Sequence, residues 1–239
     1  MKNLIALALL SLLSFGVAAS GDIELQKANI DLSDNASLQR GAKHFVSYCL
    51  GCHSIKHMRY LRIALDTDVD QKKMLQDIAP EGANIYDQMH SAMNAHDAEK
   101  WFGTQPPDLS LIARSRGADW LNSYLKSYYI DPKSPRGVNN LIFEDTAMPN
   151  PLWQLQGEQH TETRKTLWGE HTKLVITKPG TLSVGEFDIF VNDLVNFLVY
   201  VGEPVQLERQ RIGKYVIFFI LMFLVVAYLL KKEYWKDIH

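Results

Sequence analysis

Cys49-Leu50-Gly51-Cys52-His53 holds the only two cysteines of this 239-residue chain, with a histidine directly after the second. The spacing C-x-x-C-H suits covalent attachment of a c-type haem. Two thiols add across the two vinyl groups. The two residues between them let one helical turn reach both, and the adjacent imidazole offers a ring nitrogen to the iron. Zinc binding uses similar residues but takes three or four protein ligands, and no second cysteine pair exists here. A thiol oxidoreductase pair follows a strand in a βαβ context. Instead Leu38, Ala42, Phe45 and Val46 precede the motif at helical spacing.

A haem held by one histidine has a sixth iron position to fill. Met58, Met74, Met89, Met93, Met148 and the remaining histidines are the candidates. Met148 is the best of them. It lies in Thr146-Ala147-Met148-Pro149-Asn150-Pro151, where two prolines stiffen an extended loop. It lies 95 residues beyond His53. Packing in the core is the competing use of any methionine. His57, four residues from His53, falls on the same side of any helix there and reaches the other haem face poorly.

The elements that must position these groups read as mainly helical. Leu38 to Tyr48 is a helix leading into the motif, and Asp119 to Tyr129 a second, ending before Asp131-Pro132. Asp131 to Pro151, rich in Pro, Gly and Asn, is a long loop. Glu158 to Val184 contains a short hairpin with Lys173–Thr177 as a strand. Glu186 to Val201 is an amphipathic helix with a stripe of Phe187, Phe190, Val191, Leu194, Val195, Leu198 and Val201.

The ends of the chain locate it. Lys2, an apolar run from Leu4 to Leu13 and Val17-Ala18-Ala19 form a cleavable signal peptide over residues 1–19. An N-terminal anchor is the alternative, but the run is short. From Ile212 to Leu230 the only charge is Lys214. Nineteen helical residues reach about 28 Å, near the thickness of a bilayer's hydrocarbon core. Tyr215, Tyr228 and Trp235 sit near its ends as interfacial aromatics do, and Lys231, Lys232 and Lys236 keep the tail 231–239 in the cytoplasm. Residues 20–211 are left as one exported domain. Net charge is −2 over the whole chain, so nothing suggests a nucleic-acid partner. Between Asp66 and Asp108, however, nine carboxylates face three lysines. Such a segment sets up a negative field that steers a basic partner, or is simply a solvated insertion.

Nearly the whole chain resembles the cytochrome c1 family, the haem subunits of ubiquinol–cytochrome c reductases (cytochrome b–c1 complexes), in its short proteobacterial form. The landmarks are Tyr48-Cys49-x-x-Cys52-His53-Ser54, Met58-Arg59-Tyr60, the run Pro106 to Arg116 beginning Pro-Pro-Asp-Leu-Ser, Ala147-Met148-Pro149, Asp193 to Leu198, and the anchor closing in Leu229 to Asp237. The approach Leu141 to Thr146 departs from the Gly-rich or Pro-rich approach of many relatives.

The resemblance implies a mainly α c-type cytochrome domain with long loops, plus one C-terminal transmembrane helix over 212–230. It implies one covalent haem c on Cys49 and Cys52, with His53 and Met148 as axial ligands. It implies that Pro106 and Pro107 line the pocket, that Arg116 approaches a propionate and that Trp120 packs near the haem edge. The function it implies is electron transfer from the Rieske iron–sulfur protein to a cytochrome c, beside cytochrome b in the bilayer of the inner membrane, with the haem domain in the periplasm. No substrate bond is made on this chain. A free-standing haem sensor or gas-binding cytochrome is the alternative, and needs an open sixth position.

Overall fold

The computed structural model describes residues 24–166 and 169–237, so the signal peptide expected at 1–19 lies outside the described residues. In chain order the elements are α1 (Asn35–Tyr48), β1 (Ile55–Arg59), α2 (Tyr60–Asp66), α3 (Gln71–Asp77), β2 (Gln88–Met89), α4 (Ala95–Phe102), α5 (Ile112–Arg116), α6 (Ala118–Lys126), β3 (Tyr128–Ile130), β4 (Val138–Asn140), α7 (Trp153–Gln156), β5 (Gly157–Thr166), β6 (Gly169–Pro179), α8 (Val184–Gly202) and α9 (Gln206–Tyr234). The strands form three separate two-stranded antiparallel sheets. Helices therefore carry the architecture, as the sequence predicts.

The core is the α1–α8 pair. Asp34 caps α1 by accepting from the Ser37 N–H, and Ser183 and Glu186 form a capping box at the start of α8. Leu38, Ala42 and Phe45 on α1 are buried, as are Phe187, Phe190, Val191, Leu194, Val195, Leu198 and Val201 on α8. Gly41 lets the two backbones meet, because a Cβ there would lie 2.1 Å from the Asp193 carbonyl oxygen. Beside it Arg40 donates from Nε to buried Asp193 at 2.6 Å, and Ser37 Oγ donates to the same carboxylate at 2.7 Å. A buried charge needs such partners.

The chain before α1 crosses α6 and α8 as an extended strap. Asn192 and Asn196, one helical turn apart, each accept a backbone N–H and donate to the carbonyl of the same residue, Asn29 and Asp31 respectively. Ser123 and Asp119 of α6 accept from the Gln26 and Ala28 N–H groups. The strap thus ties together two helices that both line the cavity described below.

Three local readings change. The helix expected over Asp119 to Tyr129 stops at Lys126, because Tyr128 to Ile130 pair with Val138 to Asn140 as a small hairpin. The loop expected over Asp131 to Pro151 therefore contains a strand. The hairpin expected after Glu158 is longer than a single five-residue strand implies, with β5 and β6 paired from Gly157↔Pro179 to Thr166↔Gly169. Its strands are rich in charged and polar residues, so alternation of apolar residues gives little warning of them.

Helix α9 is set apart. It spans 29 residues, about 43 Å, and none of it is buried against the rest of the chain. Its large apolar side chains from Ile212 to Leu230 are exposed. Among the described residues it is the one helix long and apolar enough to cross a membrane. It begins six residues before the apolar stretch, and there Glu203, between α8 and α9, pairs with both Arg114 of α5 and Arg209 of α9.

Candidate haem site

The residues after α1 make a tight turn. The Cys49 N–H still bonds the Phe45 carbonyl, as a helix continues, and the Cys52 and His53 N–H groups both bond back to the Cys49 carbonyl, at 3.0 and 2.8 Å. Cys49, Cys52 and His53 all line one cavity of about 370 Å³. Strand β1 begins at Ile55, two residues after His53, so His57 lies on a strand and not on a helical turn, and it does not line the cavity.

The Pro-Pro-Asp-Leu-Ser run crosses beside this turn and is laced to it. Asp108 accepts from the Lys56 N–H at 3.0 Å and from the Ser110 N–H at 2.9 Å. Ser110 Oγ accepts from the His57 N–H, and the Leu109 N–H donates to the Ser54 carbonyl. This lacing sets the Pro107 carbonyl 2.8 Å from His53 Nδ1. A carbonyl only accepts, so Nδ1 carries the proton and Nε2 keeps its lone pair for a metal. Burial holds the His53 pKa below the ordinary range, opposed by the Pro107 bond and the Asp108 charge, so the neutral ring is favoured. Burial also pushes the Cys49 thiol up to about 12. A thiol so raised is a poor nucleophile for disulfide exchange, which disfavours the thiol oxidoreductase reading.

Met148 reaches the same cavity from the loop after β4. Two buried asparagines shape that loop where glycines and prolines are lacking. Asn140 Oδ1 accepts from the Ile142 and Phe143 N–H groups, and its Nδ2 donates to the Tyr124 carbonyl at 2.8 Å. Asn139 Oδ1 accepts from the Asp145 N–H, where Asp145 takes a positive φ of 56°. Asparagine and aspartate tolerate such turns better than most residues. Beyond Met148 the Asn150 side chain accepts from the Leu152 N–H and so fixes the proline-flanked exit.

All seven residues singled out in the sequence, Cys49, Cys52, His53, Pro107, Arg116, Trp120 and Met148, line this cavity. The other candidates for a sixth ligand are elsewhere. Met58, Met74 and Met89 are packed in the core, and neither Met93 nor any described histidine except His53 lines the cavity. Trp120 stacks on Tyr124, with ring centroids 4.9 Å apart. The Arg116 guanidinium sits 5.0 Å from the Trp120 centroid and 6.0 Å from that of Phe143. It forms no ion pair among the described residues and is the only charged side chain among those lining the cavity. Leu121, Leu125, Leu194 and Leu198 complete an apolar interior. Two thiols, an imidazole and a thioether converging on an apolar cavity with one cation fit a haem and its acidic edge.

The family model for cytochrome c1 matches residues 26–238. The chain belongs to the cytochrome c1 family. It is 48% identical to cytochrome c1 of Allochromatium vinosum over the full length of both proteins. It is 47% identical to a Nitrosomonas europaea protein called ammonia monooxygenase gamma subunit, over all of this chain and 99% of that one. The mitochondrial cytochrome c1 haem protein of Schizosaccharomyces pombe is 26% identical over 86% of this chain and 68% of its own. As a cytochrome c1 family member the chain carries a covalently bound c-type haem and is a haem electron carrier of a respiratory chain, part of an oxidoreductase complex. Its C-terminal apolar helix fits a single-pass membrane anchor.

Sequence reading missed Asp108 and Ser110 as residues that bring Pro107 to His53, although both lie in the run that carries the family likeness. It also missed Asn139 and Asn140, whose only signal was an Asn pair before a loop without glycine.

Proposed function

We propose that this chain is the haem subunit of a quinol–cytochrome c reductase, taking electrons from a Rieske iron–sulfur protein and delivering them to a cytochrome c. Cytochrome b is its partner in the bilayer. Residues 1–19 are removed on export, 20–211 form the periplasmic haem domain, 212–230 cross the inner membrane and 231–239 stay in the cytoplasm. The observation that carries this reading is the convergence of His53 and Met148 on one apolar cavity beside the two thiols.

The haem supplies a one-electron couple, and the protein's residues set where and how well it works. Cys49 and Cys52 attach it, while His53 Nε2 and the Met148 thioether hold the iron. A thioether raises the reduction potential relative to a second imidazole. Pro106, Pro107 and the leucines of α6 and α8 keep water out, so the charge change is felt in a low dielectric. Arg116 is placed to neutralise a propionate. A filled sixth position is what separates this reading from a gas-binding cytochrome.

Purification through a tag on the C-terminal tail tests the assembly. The expected result is co-isolation of cytochrome b and a Rieske protein, with this haem reduced on adding quinol and the reduction lost when the Rieske subunit is stripped. Isolation alone, with a haem that quinol does not reduce, contradicts the reading. Co-isolation with an ammonia-oxidising enzyme in place of those subunits would align the chain with the role named for the Nitrosomonas relative.

A further inference from the structure

Behind the Met148 loop lies a chain of three hydroxyl groups. Tyr124 Oη is 2.9 Å from Thr146 Oγ1 and 2.7 Å from Tyr128 Oη, and Tyr128 Oη is 3.2 Å from the Met148 carbonyl oxygen. All three side chains are buried. The direction of the chain follows from its last link. A carbonyl cannot donate, so the Tyr128 proton points to Met148. Each hydroxyl has one proton, so Tyr124 must donate to Tyr128, and Thr146 to Tyr124. The order Thr146 → Tyr124 → Tyr128 → Met148 begins and ends on the same loop, two residues apart. It ties both flanks of Ala147 to helix α6 and strand β3.

From this we infer that Tyr128, backed by Tyr124 and Thr146, is the positioning group that holds Met148 on the iron. The inference rests on Met148 being the sixth ligand. The physical reason is that the Met148 side chain leaves a backbone fixed at its own carbonyl, so loosening that carbonyl loosens the sulfur. Aligned hydroxyls polarise one another, so the terminal bond is strengthened by the two behind it. Buried polar groups left without a partner carry a penalty, so each deletion is felt in proportion to what it orphans. Tyr128→Phe strips the Met148 carbonyl directly. Tyr124→Phe leaves that bond but removes the donor to Tyr128. Thr146→Val only removes the far donor. The effects on the ligand must therefore fall in the order Tyr128, Tyr124, Thr146.

The test is carbon monoxide binding to the reduced haem of the full-length, membrane-bound chain, together with the near-infrared absorption of the ferric Met-ligated form. Carbon monoxide enters only when the thioether is off. Loss of one net hydrogen bond shifts that local opening by about five- to tenfold. The expected result is a rise of that size in carbon monoxide occupancy at limiting gas for Tyr128→Phe, smaller rises for Tyr124→Phe and Thr146→Val in that order, and none for Tyr129→Phe. A merely stabilising role would lower the melting temperature without moving either spectral readout, and that result overturns the proposal, as does the reverse order. Met148→Leu is the reference. If it opens fully while Tyr128→Phe matches the parent protein, the positioning role is wrong and the ligand stands. If it changes nothing, Met148 is not the ligand and the proposal falls with it. Should Tyr128→Phe fail to load haem, the Tyr124→Phe against Thr146→Val order decides alone.

Discussion

At the scale of single residues, the site is made by atoms whose roles are dictated by what they can and cannot do. The Pro107 carbonyl cannot donate, so it fixes the His53 tautomer, and proline at that point offers no competing N–H. Arg116 lies against two aromatic rings, which holds its charge at the mouth of the cavity instead of letting it swing into solvent. A fixed positive charge near the haem disfavours the ferric state. Arg116→Gln is therefore expected to lower the midpoint potential while leaving the haem attached and six-coordinate. For an exposed cation the Coulomb effect is about 1 kcal/mol, or a few tens of millivolts for one electron. Redox titration of the variant beside the parent protein measures it. A potential that rises or does not move would place the propionate away from Arg116.

At the scale of elements, α1 and α8 hold the site because they approach more closely than side chains normally allow. Gly41 is the contact point, and its missing Cβ is filled by the Asp193 carbonyl and the Phe197 side chain. Gly41→Ala is expected to destabilise the folded protein by about 3 kcal/mol or more, since backbone atoms of α8 cannot yield as a flexible side chain could. Thermal unfolding followed through helix content checks this, and a melting temperature within a degree of the parent protein's would contradict it. The two helices were legible in the sequence because both carry apolar stripes at helical spacing. The β5–β6 hairpin was legible only as a short one and the small β3–β4 pair not at all, because their residues are largely polar and their pairing is tertiary. The Met148 loop was legible as a loop but not as a shape. Its geometry depends on Asn139, Asn140 and the Tyr124–Tyr128 hydroxyls, and nothing in their local spacing announces that they meet. The thiols, His53 and Met148 were singled out from their types and spacing and Arg116 from the family resemblance, and all line the cavity; the groups that aim them were not foreseen.

At the scale of the whole molecule, a haem domain stands on one apolar helix, joined to it by Glu203 with Arg114 and Arg209. Truncation after Arg211 keeps that junction and removes the apolar stretch, so it is expected to release a soluble domain that still loads haem. Recovery of haem protein in the soluble fraction checks it, and an apo or aggregated product would give α9 a role in folding. The acidic segment between Asp66 and Asp108 is not uniformly free to meet a partner. Asp66 pairs with Arg62 and accepts from Tyr200, and Asp70 caps α3. Asp77, Glu81 and Glu99 are exposed. Neutralising these three together is expected to slow reduction of a basic acceptor cytochrome at low ionic strength and to change little at high, because salt screens exposed charges over about 8 Å. Stopped-flow rates across a salt series read this out, and equal low-salt rates would move docking to another face. On the proposed reading, one cavity brings His53 and Met148 to the same iron. X-ray absorption at the iron edge of the intact membrane-bound protein tests it most directly. A single sulfur beside nitrogen ligands in the first coordination shell is the predicted result; a shell of nitrogen alone, or one with a vacant position, would contradict it.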